Sequence, residues 1–226
     1  MEDDMLVTTR LALHALAAGV ISPLRVQATG NEIALRVRPG GFGTPDLPGG
    51  GWVGVHGTQV VVVGPDGDDR RTTITTLRKA GAFVGLDGAD ALPGDPLEVH
   101  AGAATVLAEA HADGDEALQA LIDGAGPDDD PSAIHLWPEH FDIAIEYGAQ
   151  DVRGTYGVSP GDEQHVEPYA YVAPWSAKPG GRFWNATAFA GAERPADEPD
   201  AMTAFFREAH RLLTDHQGGQ SPTPRG

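Results

Sequence analysis

The chain has no cysteine in 226 residues. Disulfides, thiolate zinc sites, cysteine nucleophiles and cysteine-held iron–sulfur clusters are excluded together. Lysine is nearly missing too, at Lys79 and Lys178 only. Lysine and arginine number 15 against 33 aspartates and glutamates, a formal charge of −18. Without a basic stripe the chain is not expected to bind nucleic acid or an anionic membrane surface. Long apolar runs are absent: Leu11 to Ile21 is interrupted by His14 and Gly19 and is short for a bilayer. The opening Met1-Glu2-Asp3-Asp4 is acidic where a secretory leader carries lysine or arginine. A cytoplasmic location is the expectation. Scarce lysine beside abundant Ala, Gly, Pro and Asp is the usage of a GC-rich bacterial genome.

A hydrophobic share of 41% and a charged share of 21% suit a globular chain with a sizeable core. Residues 4–18 have an apolar helical face of Leu6, Leu13, Leu16 and Ala17. Ile33, Leu35 and Val37 alternate with Ala34, Arg36 and Arg38, which predicts a half-buried strand. Val60 to Val63, a Gly-Pro-Asp-Gly turn and Thr72 to Leu77 predict a hairpin. Two helices are predicted over 103–112 and 115–122, separated at Ala112-Asp113-Gly114. Phe141, Ile143, Ile145 and Tyr147 mark a strand, with shorter ones at 155–158, 169–173 and 182–186. Met202, Phe205, Phe206, Ala209, Leu212 and Leu213 form the stripe of a helix over 199–216.

Runs of strands and runs of helices predict an α+β fold: a mostly antiparallel sheet with N-terminal, middle and C-terminal helices packed on it. A single domain over 1–216 is expected, with a candidate lobe boundary at the Gly- and Asp-rich stretch 124–131 and a disordered tail over 217–226. No internal repeat is visible.

Gly157-Val158-Ser159-Pro160-Gly161 fits the G-x-S-x-G of serine hydrolases. However, Pro160 has no N–H for an oxyanion hole, and no helical period follows. A Ser-Pro-Gly turn is the expected reading.

The densest chemistry lies between residues 135 and 175. His140 precedes Asp142 by two residues and His165 precedes Glu167 by two, a spacing that shares one face of an extended chain. If neighbouring strands carry them, His140, Asp142, His165 and Glu167 converge, a carboxylate orienting a histidine as general acid or base. Trp137, Glu139, Asp162, Tyr169, Tyr171, Trp175 and Trp184 are candidates to line a ligand cleft. A metal role stays open, since His nitrogen and carboxylate oxygen suit Zn, Mn or Fe(II), but neither H-x-H nor H-E-x-x-H occurs and no motif names a cofactor. A purely structural role for these residues is the competing reading. His111, His210 and His216 read as exposed helix residues.

The segments Leu35-Arg36-Val37-Arg38-Pro39-Gly40-Gly41-Phe42, Leu136-Trp137-Pro138-Glu139-His140-Phe141-Asp142, Tyr156 to Asp162 and Glu167 to Trp175 resemble a family of uncharacterised, mostly high-GC bacterial proteins. The resemblance covers most of the chain after residue 30 and implies a single domain, without an activity or cofactor. The functional expectation is a cleft in the 137–184 segment that binds or acts on a small organic ligand. The alternative is a non-enzymatic domain that meets a protein partner.

Overall fold

The computed structural model describes residues 2–176 and 180–218; the tail expected to be disordered lies almost wholly outside them. The fold is α+β, built from two antiparallel five-stranded sheets with helices at the N-terminus, in the middle and at the C-terminus.

Helix α1 (Glu2–Leu16) opens with three acids in its first turn, which suits the positive end of the helix dipole. The predicted end at residue 18 is not observed. The chain passes through a π-helical turn, Ala17–Ile21, into α2 (Ser22–Thr29). Pro23 cannot supply an N–H to the ladder, and the widened turn just before it absorbs that break. Glu2–Thr29 is thus 28 residues of helix, with length and hydropathy enough to cross a membrane and with half of its apolar window buried within this fold.

Strands β1 (Arg36–Arg38), β2 (Gly41–Gly43), β3 (Trp52–His56), β4 (Gln59–Val63) and β5 (Asp69–Thr73) form a simple meander. The predicted strand over 33–38 is shorter than its alternation suggests, since only Arg36–Arg38 pairs with β2. Helix α3 (Leu77–Val84) follows, its first turn capped by Thr76 Oγ1, which accepts from the Lys79 amide.

Helix α4 (Ala101–Asp123) is one helix, where two were predicted. Gly114 does not break it. A Cβ there would lie 2.7–2.9 Å from Val158 and Ile143, so the glycine lets the helix approach the second sheet closely. That sheet is a second meander of β6 (His135–Trp137), β7 (Asp142–Tyr147), β8 (Gly154–Ser159), β9 (Tyr169–Pro174) and β10 (Ala192–Pro195), closed by α5 (Pro199–Gly218). The strand predicted over 182–186 is absent. Phe183 and Trp184 pack under α5 against Phe205, and the fifth strand comes ten residues later.

The chain therefore runs helix, five-strand meander, helix, and then repeats that order. The two sheets meet edge to edge at one bridged pair. Leu35 N donates to Leu136 O (2.8 Å) and Leu136 N to Leu35 O (2.9 Å), and both side chains are fully buried. Helix α4 packs on β1 and β2 as well as on β7 and β8. One continuous core results, holding Leu16, Ile21, Phe42, Leu107, Leu118, Tyr156 and Phe206. The site lies on the face of the second sheet turned away from that core.

Candidate functional site

On β7, Ile143, Ile145 and Tyr147 point into the core, so Asp142, Ala144 and Glu146 point outward. Strand pairing sets Trp137 opposite Asp142 and His135 opposite Ala144. On the other side Ala144 pairs with Gly157, and Gly157 with Tyr171. The small residues Ala144 and Ala173 leave a depression of about 820 Å³, walled by Trp137 and Tyr171, with the exposed Glu139 and His140 at its rim.

At its floor lies a carboxylate that water scarcely reaches. Asp142 is 7% exposed. The Tyr171 hydroxyl donates to Asp142 Oδ2. The bond spans a whole strand, and Gly157 makes it feasible: a Cβ at 157 would sit 2.7 Å from the Tyr171 hydroxyl and ring. Asp142 Oδ1 has no hydrogen-bond partner on any other described residue. Burial raises the proton affinity of Asp142, more than the Tyr171 hydrogen bond, the charge of His140 and its own amide lower it. Burial, together with the charge of Asp142 and the bond to it, holds the Tyr171 phenol well above its ordinary range. Tyr171 therefore keeps its proton and acts as a donor.

The turn that presents these groups is strained and doubly pinned. Phe141 has φ of 60°, a left-handed conformation that is costly for a bulky side chain. His14 Nε2 lies 3.0 Å from Pro138 O and 3.2 Å from Glu139 O. His111 Nε2 lies 3.1 Å from Phe141 O. The Phe141 ring stacks on His14, with the rings of Phe42 and His111 against it edge-on. His111 is thus not the exposed residue expected. It is 1% exposed, and burial lowers its pKa to about 4, so it is neutral at pH 7. Sequence reasoning missed both histidines as site-builders. A signal was there: His111 lies in line with Ala104, Leu107, Gly114 and Leu118, the buried stripe of α4.

The four residues expected to converge are divided among three places. His140 and Asp142 share the depression. His165 pairs with Asp162 and Glu193 rather than with Glu167: Nδ1 lies 3.2 Å from Asp162 Oδ1 and Nε2 3.3 Å from Glu193 Oε1. Asp162 also accepts from the amides of Gln164 (2.7 Å) and His165 (2.8 Å) and from the Tyr169 hydroxyl (2.7 Å). Burial acts to raise the Asp162 pKa, but the donors around it prevail and the net shift is downward. Arg10 reaches in from α1, donating to Val166 O (2.8 Å) and Asp162 O (2.9 Å). These groups hold the 160–168 loop in place. Ser159 Oγ accepts from the Gly161 amide (3.2 Å), the turn expected for Ser-Pro-Gly. Glu167 faces elsewhere, into a groove between α1 and α4.

Of the other candidates, Trp137, Glu139 and Tyr171 line the depression. Tyr169 is committed to Asp162, with its ring 6.2 Å from that of Tyr171. Trp175 is 57% exposed at one end of the face, its indole donating to Thr155 Oγ1 (3.2 Å). Trp184 is buried in the core, so it does not line the opening. Among the described residues no group of three or more histidine and carboxylate side chains is gathered to hold a metal ion. Comparison with protein-family models, curated proteins and solved structures finds no match to this chain.

Proposed function

We propose that this chain binds a small organic ligand on the outer face of its second sheet, with Asp142 as the anchoring acceptor, in a cytoplasmic setting. One observation carries the reading: a nearly buried carboxylate in the wall of a depression of about 820 Å³, with one oxygen enclosed and unpartnered. Burying such a group without a donor costs about 1–3 kcal/mol, which a fold does not ordinarily retain unless something uses the oxygen. Trp137 and Tyr171 supply apolar walls, and His140 adds a ring that can both donate and accept. If the ligand is transformed as well as bound, His140 and Asp142 are the acid/base pair. The test is a fragment screen by amide NMR. Saturable shifts confined to 135–146, 155–157 and 171–173 are expected, and an undisturbed face in every titration would refute it.

A protein-interaction role rests on a different observation. The groove between α1 and α4, about 620 Å³, exposes Val106 (45%) between Glu2, Asp3, Glu109, Asp113 and Glu167. An apolar floor under an acidic rim suits a cationic amphipathic helix. A lysine–leucine model helix should bind there at physiological salt and lose affinity at least tenfold in Val106→Arg, whereas binding that ignores Val106→Arg is bulk attraction to the −18 charge.

A further inference from the structure

The lining of the depression on the second sheet also bears on the class of molecule it takes. Resting on the ligand-binding reading above, we infer that the occupant is a neutral sugar, with the C–H face of one pyranose ring on Trp137 and its hydroxyls on the polar groups around it.

Three tryptophans lie on or beside the outer faces of the two sheets. Arg38 covers Trp52 at 4.7 Å and Arg153 covers Trp175 at 5.5 Å. Trp137 has no cation over its ring among the described residues, and its ring contact there is with His135, at 5.2 Å and 72°. The two half-buried rings form a corner in the lining of the depression. A saturated ring with a C–H face fills such a corner and is held by aromatic surface without needing a charge.

Charge does not select the occupant. Glu146 Oε2 lies 3.3 Å from Arg153 and is answered from within the chain. Asp142 has Oδ1 enclosed and Oδ2 on the Tyr171 hydroxyl, which leaves at most one further hydrogen bond at Oδ2 and no bare ion to pair. Glu139 is exposed, where water and salt screen it.

What remains is hydrogen-bonding capacity of both kinds. The side chains of Glu139, His140 and His135 make no hydrogen bond among the described residues, and all three line the depression. Thr155 Oγ1 accepts from the Trp175 indole (3.2 Å) and keeps its own proton to donate. Burial, helped by the charge of Arg25, holds His135 below the ordinary histidine range, so at pH 7 its ring offers one N–H and one bare nitrogen. The carboxylates of Glu139 and Glu146 only accept. A sugar hydroxyl both donates and accepts, so it meets every one of these groups. An aromatic hydrocarbon would leave them unpaired, and an open-chain polyol would leave Trp137 uncovered. At about 820 Å³ the depression has the size of sites for drug-sized molecules, which admits two linked rings.

The experiment uses the full chain. The probes are the methyl glycosides of glucose, galactose and mannose, with maltose and cellobiose. Cyclohexylmethanol keeps a ring and loses most hydroxyls, sorbitol keeps the hydroxyls and loses the ring, and methyl glucosaminide and methyl glucuronide add a charge of either sign. Binding is read from amide and indole NMR shifts at physiological salt, with probes up to about 100 mM. At least one neutral sugar should saturate with shifts centred on Trp137, Glu139 and Thr155. Cyclohexylmethanol and sorbitol should bind about tenfold more weakly or not at all. Trp137→Ala should lower sugar affinity about tenfold, Trp137→Phe should recover part of it, and Glu139→Ala, at an exposed position that folding does not need, should weaken binding as well. Glu163→Gln should leave it unchanged. A control that binds as well as the best sugar, a charged glycoside about tenfold tighter than methyl glucoside, or binding indifferent to both Trp137→Ala and Glu139→Ala overturns the sugar assignment and leaves the ligand site standing. Silence from every sugar where other fragments saturate does the same. If sugars and fragments alike leave this face unperturbed, both the assignment and the ligand reading fall.

Discussion

The two meanders share one element order and differ in how they finish their outer faces. In the first, Arg36, Arg38, Gly41, Gly43, Gly54, Trp52 and His56 share the face turned from the core. Arg38 closes that face. It stacks on Trp52 and donates to Thr44 O (2.7 Å) and Asp46 Oδ1 (2.9 Å), so its charge, its donors and the ring beneath it all find partners within the sheet. In the second, Arg153 lies 5.5 Å over Trp175 at one end, but at the other Trp137 stands beside Asp142 with no arginine over its ring among the described residues, and one carboxylate oxygen is left over. A common backbone thus supports a sealed surface and an open one, and the difference lies in a few outward side chains. Fold and site are separable here, as is general where function is grafted on a scaffold.

The largest expected effect breaks the comparison at the helices. Gly114→Val drives a branched side chain into Val158 and Ile143 on the second sheet and should cost about 3 kcal/mol or more in chemical denaturation. Gly19→Ala, on the helix before the first sheet, meets Leu77 at an ordinary 3.6 Å and should be neutral or stabilise by up to about 1 kcal/mol through helix propensity.

Acid should act mainly through the turn that carries the site. His111 binds a proton near pH 6.5 when unfolded but only near 4 when folded. Between those values the unfolded chain holds more protons, so stability falls as the pH drops from 6.5 to 4, by roughly 3 kcal/mol, and the contribution flattens below. Denaturation midpoints across that range should show the slope, and His111→Met should remove it.

Asp142→Asn separates the faces with a smaller effect of opposite sign. Burial disfavours the Asp142 charge, so the neutral variant should keep or raise the melting temperature while losing ligand. A marked loss of stability would instead make Asp142 structural. The smallest change belongs to the sealed face. Arg38→Ala should cost about 1 kcal/mol, because its aspartate is solvent-exposed and what is lost is the stacking on Trp52 and the bonds to Thr44 O.

Much of this was readable along the chain. The alternation from Phe141 to Tyr147 sets β7 and hence the outward place of Asp142, whereas His140 comes beside it through a turn with Phe141 left-handed rather than through an extended chain. The α+β class and the closing helix were equally legible. Where sequence reasoning failed, each failure has a local cause. Gly114 looks like a helix break because a sequence does not reveal the sheet against which a missing Cβ matters. Ala192 to Pro195 has no alternation of its own and becomes β10 only by pairing with β9. His165 was matched to Glu167 on the assumption of an extended chain, whereas Asp162 folds the segment into a turn and takes the histidine itself. The repeated architecture is invisible because each half needs only a pattern of inward residues, and many sequences satisfy one pattern.

The Arg10 clamp has a consequence for the order of assembly. Every strand pairing within either meander joins strands adjacent in sequence, which favours fast local folding. Arg10 instead finds its carbonyls more than 150 residues downstream. During synthesis α1 must carry an unmatched guanidinium through the time in which the whole first meander and α4 are made. Only when residues 162–166 have emerged can that charge be enclosed, so closing the 160–168 loop over α1 is a late event that registers the arrival of the second half.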